Sequence, residues 1–219
     1  MPSSVFAAIF DLDGVLTSTS ARHEQSWAEA AEKFGIPISE AALQATRSVP
    51  RTSALNALLA HAGTDLPPAA RERLMAYKNE RYHALIAGLT PDDAFPGALE
   101  ALQACRRLGM KIGVASASLN AQVVLERIGL AGLVAFVADP RLAEPKPSAE
   151  IYGMACAGLG ALPQHAACIE DGGPMIANLR AEGLHTVGIG DRPLGADEHF
   201  ATIADWDPAW TLEKLRLRA

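Results

Sequence analysis

Val5-Phe6-Ala7-Ala8-Ile9-Phe10-Asp11-Leu12-Asp13-Gly14 is an apolar run that stops abruptly at two carboxylates spaced two residues apart, with a glycine behind them. A continuous apolar run of this length reads as a strand buried on both faces, the kind found in parallel sheets covered by helices. In open α/β sheets, ligands bind just beyond the carboxyl ends of such strands. Asp11 and Asp13 are therefore expected to point into a cleft.

From about Ala21 to about Leu89 the pattern is helical and holds no convincing strand. Trp27, Ala31 and Phe34 share one helix face, and Gly35 suits a helix stop. Ser39 can cap a second helix, Pro50-Arg51 can open a third, and Pro67-Pro68 can open a long one reaching roughly to Leu85. Past Thr90-Pro91-Asp92-Asp93 and Phe95-Pro96-Gly97 the pattern turns to alternating helix and strand. Strands are expected near Lys111 to Ala115, Val134 to Ala138, Ala167 to Ile169 and Thr186 to Ile189, with helices from Ala98, Leu119, Ala149 and Met175 between them. This order predicts an α/β fold: a Rossmann-like parallel sheet core over residues 1–17 and 90–219, with an inserted helical cap domain, residues 18–89, over the strand ends.

The 219 residues, 49% of them hydrophobic, suffice for a sizeable core without disulfide or metal staples. A net charge of −6 and the lack of a basic run argue against a nucleic-acid surface, so an anionic substrate would need locally gathered cations or a metal. Cys105, Cys156 and Cys168 have no metal-ligand spacing and are odd in number, which points to reduced, buried thiols in a cytoplasmic protein. The run before Asp11 has no basic flank, so no signal peptide is expected, and no stretch approaches membrane-spanning length.

Three later stations fall at expected strand ends. In Ser116-Ala117-Ser118-Leu119-Asn120, a hydroxyl and successive backbone N–H groups at a helix start can hold a phosphoryl oxygen. Pro145-Lys146-Pro147 fixes a point charge on a stiff backbone. Glu170-Asp171, before Gly172-Gly173, supplies hard oxygen ligands that with Asp11 suit Mg²⁺. Singly, Asp11-Leu12-Asp13-Gly14 and these three stations read as a turn, helix caps, a solvated lysine and a loop. Their conjunction, in order and each at a strand end, argues for one site.

Asp11-Leu12-Asp13-Gly14, Ser116, Lys146 and Glu170-Asp171 resemble, in order, the four motifs of the haloacid dehalogenase superfamily, with its helical cap inserted after the first motif. The resemblance covers nearly the whole chain. It tightens toward the β-phosphoglucomutase branch at Phe10 to Thr17, at Ala115 to Ser118 with Asn120, and at Lys78-Asn79.

That resemblance implies a phosphomutase interconverting β-D-glucose 1-phosphate and glucose 6-phosphate through an aspartyl phosphate, with glucose 1,6-bisphosphate as intermediate and activator. Asp11 would be the nucleophile and Asp13 the general acid and base, with Ser116 and Lys146 completing the catalytic set. One Mg²⁺ would be held by Asp11, Glu170, Asp171 and the backbone carbonyl of Asp13. Thr19, His23, Trp27, Ser48, Val49, Arg51 and Lys78 match cap positions that touch a phosphosugar or sense its binding, and Ser116, Ala117, Ser118 and Asn120 would contact it from the core. Arg51 stands out, because a guanidinium can grip the nonreacting phosphate at two points. The expected partner is a small phosphosugar, with no nucleic acid or membrane, and the expected state is a monomer.

Three positions depart from the mutase pattern: Leu119 for a lysine near the distal phosphate, Ser18 for an Asp beside Thr19, and Gly172-Gly173-Pro174-Met175 for a Ser-x-x-Gly run. A phosphatase would use the same core and admit water. A catalytically silent phosphosugar-binding protein would have no need of the complete acid, lysine and metal set, and a dehalogenase would need no Mg²⁺.

Overall fold

A computed structural model describes residues 4–47 and 49–218. The chain divides into two compact units, one made of Met1–Ser18 and Thr90–Ala219, the other of Thr19–Leu89. Ser48, one of the expected substrate contacts, lies outside the described residues.

The first unit is built on a six-stranded, wholly parallel sheet: β1 (Ala7–Phe10), β2 (Lys111–Val114), β3 (Phe136–Val137), β4 (Ala166–Glu170), β5 (His185–Ile189) and β6 (Glu198–Phe200), in the order β3-β2-β1-β4-β5-β6. Every residue of β1, β4 and β5 is buried, which is why β1 and the body of β4 read as apolar runs rather than alternating ones, while Glu170 at the end of β4 and His185-Thr186 at the start of β5 are buried polar residues. Helices α5 (Ala98–Arg107), α6 (Ala121–Arg127), α7 (Glu150–Leu159), α8 (Gly173–Ala181) and α9 (Pro208–Arg216) follow the second unit's four helices in the chain. Side chains alternate across the sheet. Ala7, Ile9, Ala166 and Cys168 meet Tyr152, Ala155 and Leu159 of α7 and Leu179 of α8 on one face, while Phe10 meets the Trp206 ring edge-on at 5.7 Å on the other.

The parallel α/β core with an inserted helical region is as expected, but several boundaries moved. β1 begins at Ala7 rather than Val5, β3 is reduced to two residues, and α6 starts at Ala121 rather than Leu119. Helix α8 starts at Gly173 because Pro174 is tolerated in the first turn, where its missing N–H has no partner to lose. Strand β6 and helix α9 were not anticipated. Glu198-His199 disguises the strand, and the helix is announced only by Asp207, whose carboxylate accepts from Ala209 N–H at 2.9 Å, and by Pro208.

That C-terminal region is anchored by buried polar groups. His185 Nε2 meets Glu198 Oε1 at 2.7 Å, Thr211 donates to the same oxygen at 2.9 Å, Trp206 Nε1 donates to Thr211 at 2.8 Å, and Lys214 reaches Glu198 Oε2 at 2.9 Å. Cys105, Cys156 and Cys168 are free and buried. Among the described residues no helix is long and apolar enough to cross a membrane.

The second unit contains α1 (Ser20–Lys33), α2 (Glu40–Gln44), α3 (Arg51–His61) and α4 (Pro68–Ile86). Trp27, Ala30 and Ala31, spaced at i, i+3 and i+4, pack with Leu55, Leu58, Leu59 and Leu74 into its own core. Ser39 caps α2, its hydroxyl accepting from Ala42 N–H at 3.2 Å.

Candidate active site

The strand order turns outward on either side of the β1–β4 pair, and at such a reversal the two chains leaving the sheet diverge and open a crevice. Asp11 follows β1 and Glu170 ends β4. The pairing continues past the strand, with Asp11 N–H donating to Ile169 O at 2.9 Å, so the two motifs are neighbours by backbone register alone.

Lys146 Nζ lies 2.7 Å from Glu170 Oε1 and 3.0 Å from Asp11 Oδ1, with its side chain only 8% exposed. Its loop carries a cis Lys146–Pro147 peptide and is tied to α8 by Asn178 Nδ2, which donates to Pro147 O at 2.8 Å. Glu170 Oε2 accepts from the N–H groups of Asp171 at 2.9 Å and Gly172 at 3.0 Å. One oxygen from each of Asp11, Glu170 and Asp171 lies within 4.8 Å of the others.

Three converging carboxylates, Glu170 buried, Asp11 half-buried and Asp171 at the exposed edge, gather more negative charge than the one ammonium on Asp11 and Glu170 offsets. Burial, reinforced by Glu170 and Asp171, pushes the Asp11 carboxyl up to about 8 against the pull of Lys146. Burial and then Glu170 push Asp171 up to about 7. Lys146 is buried too, but Asp11 and Glu170 outweigh that and hold it above its ordinary range, hence charged. A hard divalent cation would relieve the remaining excess, and the donors are all oxygens, so the site fits Mg²⁺.

Asp13 stands half-buried in the turn after Asp11, where it bridges to Thr17, and its carboxylate is not one of the three that converge. The turn is closed by Gly14 N–H donating to Thr17 O at 2.8 Å. Ser116 is buried after β2, and its hydroxyl oxygen accepts from Ser118 N–H at 3.1 Å; Ser118 Oγ in turn accepts from Asn120 N–H at 3.2 Å. The Ser116–Asn120 segment is thus a loop of short hydroxyl-closed turns, with Ala117 half-buried and Leu119 48% exposed in its middle.

The remaining expected residues sit in the helical unit. Arg51 donates from NH2 to Asn79 Oδ1 at 2.6 Å, and Lys78 Nζ donates to His23 Nδ1 at 2.8 Å. Lys78 also lies over the rings of Tyr82, 4.6 Å, and Trp27, 5.3 Å, while His23 stacks on Tyr82 at 3.9 Å. Tyr82 donates its hydroxyl to Thr19 at 3.0 Å. Burial, with Arg51 nearby, brings Lys78 down to about 7, and burial with Lys78 and Arg51 brings His23 down to about 3, leaving a neutral imidazole able to accept. Trp27 and Val49 belong to the hydrophobic packing of this unit. Tyr82, Tyr152 and Asn178 were not singled out from the sequence; nothing in their spacing marks them.

The haloacid dehalogenase-like hydrolase family model matches residues 7–183. The chain belongs to that family. Among curated members of the haloacid dehalogenase superfamily, it is 36% identical over 196 residues to a β-phosphoglucomutase of Bacillus subtilis strain 168, covering 87% of each chain. It is 26% identical over 187 residues to a validoxylamine A 7'-phosphate phosphatase of Streptomyces hygroscopicus subsp. limoneus, covering 83% and 84%. Among solved structures of the superfamily, it is similar to β-phosphoglucomutase from Clostridium difficile at a TM-score of 0.89 and 29% identity, covering 97% of this chain and 98% of that one.

Proposed function

We propose that this chain is a Mg²⁺-dependent phosphomutase that interconverts β-D-glucose 1-phosphate and glucose 6-phosphate through glucose 1,6-bisphosphate. The observation that carries the choice of mutase is a pair of cations in the helical unit, Lys78 buried and Arg51 half-buried, whose hydrogen-bond partners among the described residues are the neutral His23 and Asn79. Desolvated cations without carboxylates are costly to fold around and are repaid by an anion. A phosphatase needs one phosphate site; a bisphosphate intermediate needs two.

In this reading Asp11 attacks the phosphoryl group, forming the bond from Oδ to phosphorus as the bond to the sugar oxygen breaks. Asp13 supplies the proton to that leaving oxygen and later removes one from the hydroxyl that takes the phosphoryl group back. Lys146 holds Asp11 in place and offsets the charge gathered there, and Ser116 donates its hydroxyl hydrogen to a phosphoryl oxygen. Asp11, Glu170, Asp171 and the Asp13 carbonyl hold Mg²⁺, which when bound supplies charge stabilisation to the transferring phosphoryl group. Arg51 and Lys78 bind the nonreacting phosphate in this reading, and Ser118 and Asn120 are proposed contacts to the phosphosugar.

The second reading is a sugar-phosphate phosphatase, favoured by Leu119, an exposed apolar residue in a loop otherwise suited to an anion. The deciding experiment incubates the protein with β-glucose 1-phosphate, Mg²⁺ and a trace of glucose 1,6-bisphosphate, following glucose 6-phosphate and free phosphate together. Glucose 6-phosphate without comparable phosphate release is expected. Phosphate release without isomerisation would move the chain to the phosphatases.

A further inference from the structure

Two sides of the Lys146 ammonium face carboxylates, Asp11 at 3.0 Å and Glu170 at 2.7 Å. A third is occupied by an aromatic ring: Nζ lies 5.2 Å from the centroid of Tyr152, one turn into the helix that follows the Lys146 loop. Tyr152 is fully buried, packed among Ile9, Ala115, Cys168 and Met175, so its ring cannot turn away. Burial, with the negative field of Glu170 and Asp11, holds its phenol well above the ordinary range, and among the described residues its hydroxyl has no hydrogen-bond partner. The contact this side chain offers the site is therefore the face of its ring, whose negative quadrupole attracts a desolvated cation within about 6 Å.

We propose that Tyr152 is a positioning residue whose ring face fixes the Lys146 ammonium against Asp11 and Glu170. The inference rests on the phosphoryl-transfer reading of this site. A lysine has four rotatable bonds, and two carboxylates alone leave the ammonium free to slide between them; the ring face adds a third contact that limits that movement.

The test replaces Tyr152, in the full chain, by Phe, by phenylalanines carrying increasing numbers of ring fluorines, and by Leu. Fluorination keeps the shape of the ring and drains its negative face. Tyr152→Phe is expected to keep kcat within about twofold, while kcat falls stepwise along the fluorine series by about 10-fold in all, with KM and the melting temperature held. Tyr152→Leu should lose at least as much, and Phe at the position restores it. A flat fluorine series overturns the proposal, and so does a Tyr152→Phe variant as impaired as Tyr152→Leu, because the hydroxyl would then be the working part. The side-chain ¹⁵N order parameter of Lys146, measured by NMR without substrate, separates this inference from the reaction it serves. Order that falls along the series in a protein with no phosphoryl transfer upholds the contact and sinks the reaction; constant order in a working enzyme sinks the contact.

Discussion

The Asp171 carboxylate lies directly over the main chain of Gly14: a Cβ built on that glycine would stand 1.9 Å from Asp171 Oδ2 and 2.4 Å from its Cγ. Gly14 also has φ +92°, where side-chain-bearing residues are strained. The glycine of the first motif and the second acid of the last are thus one piece of geometry. Gly14→Ala should displace Asp171 and cost about 1–2 kcal/mol of stability from backbone strain. Mg²⁺-dependent turnover should fall by more than about 100-fold, since a misplaced group of this kind is worth that much. Urea unfolding and phosphoryl-transfer assays check both, and full activity would show that Asp171 works from elsewhere.

The metal site predicts a pH dependence of definite sign. Asp11 and Asp171 are raised from an ordinary 3.8 to about 8 and about 7, so the metal-free folded protein keeps protons that the unfolded chain has lost. The stability they contribute is complete below 3.8 and is lost as pH rises through about 7 and about 8. In chelator, the melting temperature should decline between about pH 5 and pH 8.5, and added Mg²⁺ should raise it more at the upper end, because metal binding must displace fewer protons there. An Mg²⁺ effect that shrinks with rising pH would contradict the assignment of the ligands.

Lys78→Met should separate stability from function. Removing an ammonium that burial has brought down to about 7 relieves a desolvation cost present in the folded state, a cost that grows as pH falls from 10.5 toward 7. The variant should be more stable near neutral pH by about 1 kcal/mol, the usual size of a relieved functional site, and, under the proposed mutase reading, weaker in handling the bisphosphate. Thermal melts and mutase kinetics read the two effects independently. A destabilised variant would mean that the contacts of Lys78 with His23 and the two rings outweigh its burial.

Asp13→Ala should abolish turnover while leaving the fold intact, since Asp13 is half-buried in a turn and not one of the converging carboxylates. A loss of at least about 100-fold is expected if Asp13 is the general acid and base proposed above. Retained turnover would reassign the proton transfer to another group.

His185→Leu probes the opposite end of the sheet. Glu198 would lose the 2.7 Å contact from His185 Nε2 and keep Thr211 and Lys214, so about 1–3 kcal/mol of stability should go while kcat is unchanged. Denaturant midpoints and steady-state kinetics on the same preparation distinguish a structural network from one coupled to the site.

The apolar run ending at Asp11, the proline-flanked Lys146 and the Glu170-Asp171 pair were readable in the sequence because each is a local signal: a buried parallel strand has no polar face, the carboxylates stand at the ends of β1 and β4, and two prolines mark the Lys146 loop. The parallel fold and its helical insertion followed from the same alternation. Strand β6 and helix α9 escaped, because Glu198 is polar by type yet buried by partners, His185 and Thr211, that no local window contains. That Asp11 and Glu170-Asp171 share one site was legible from their motifs, while tertiary structure decided the β1–β4 pairing that makes them neighbours. It alone set the Tyr152 ring beneath Lys146, the Asp171 carboxylate over Gly14 and the His23 imidazole against Lys78. Those pairings join residues from separate elements, and their energies come from burial and exclusion of water, which exist only once the chain has folded.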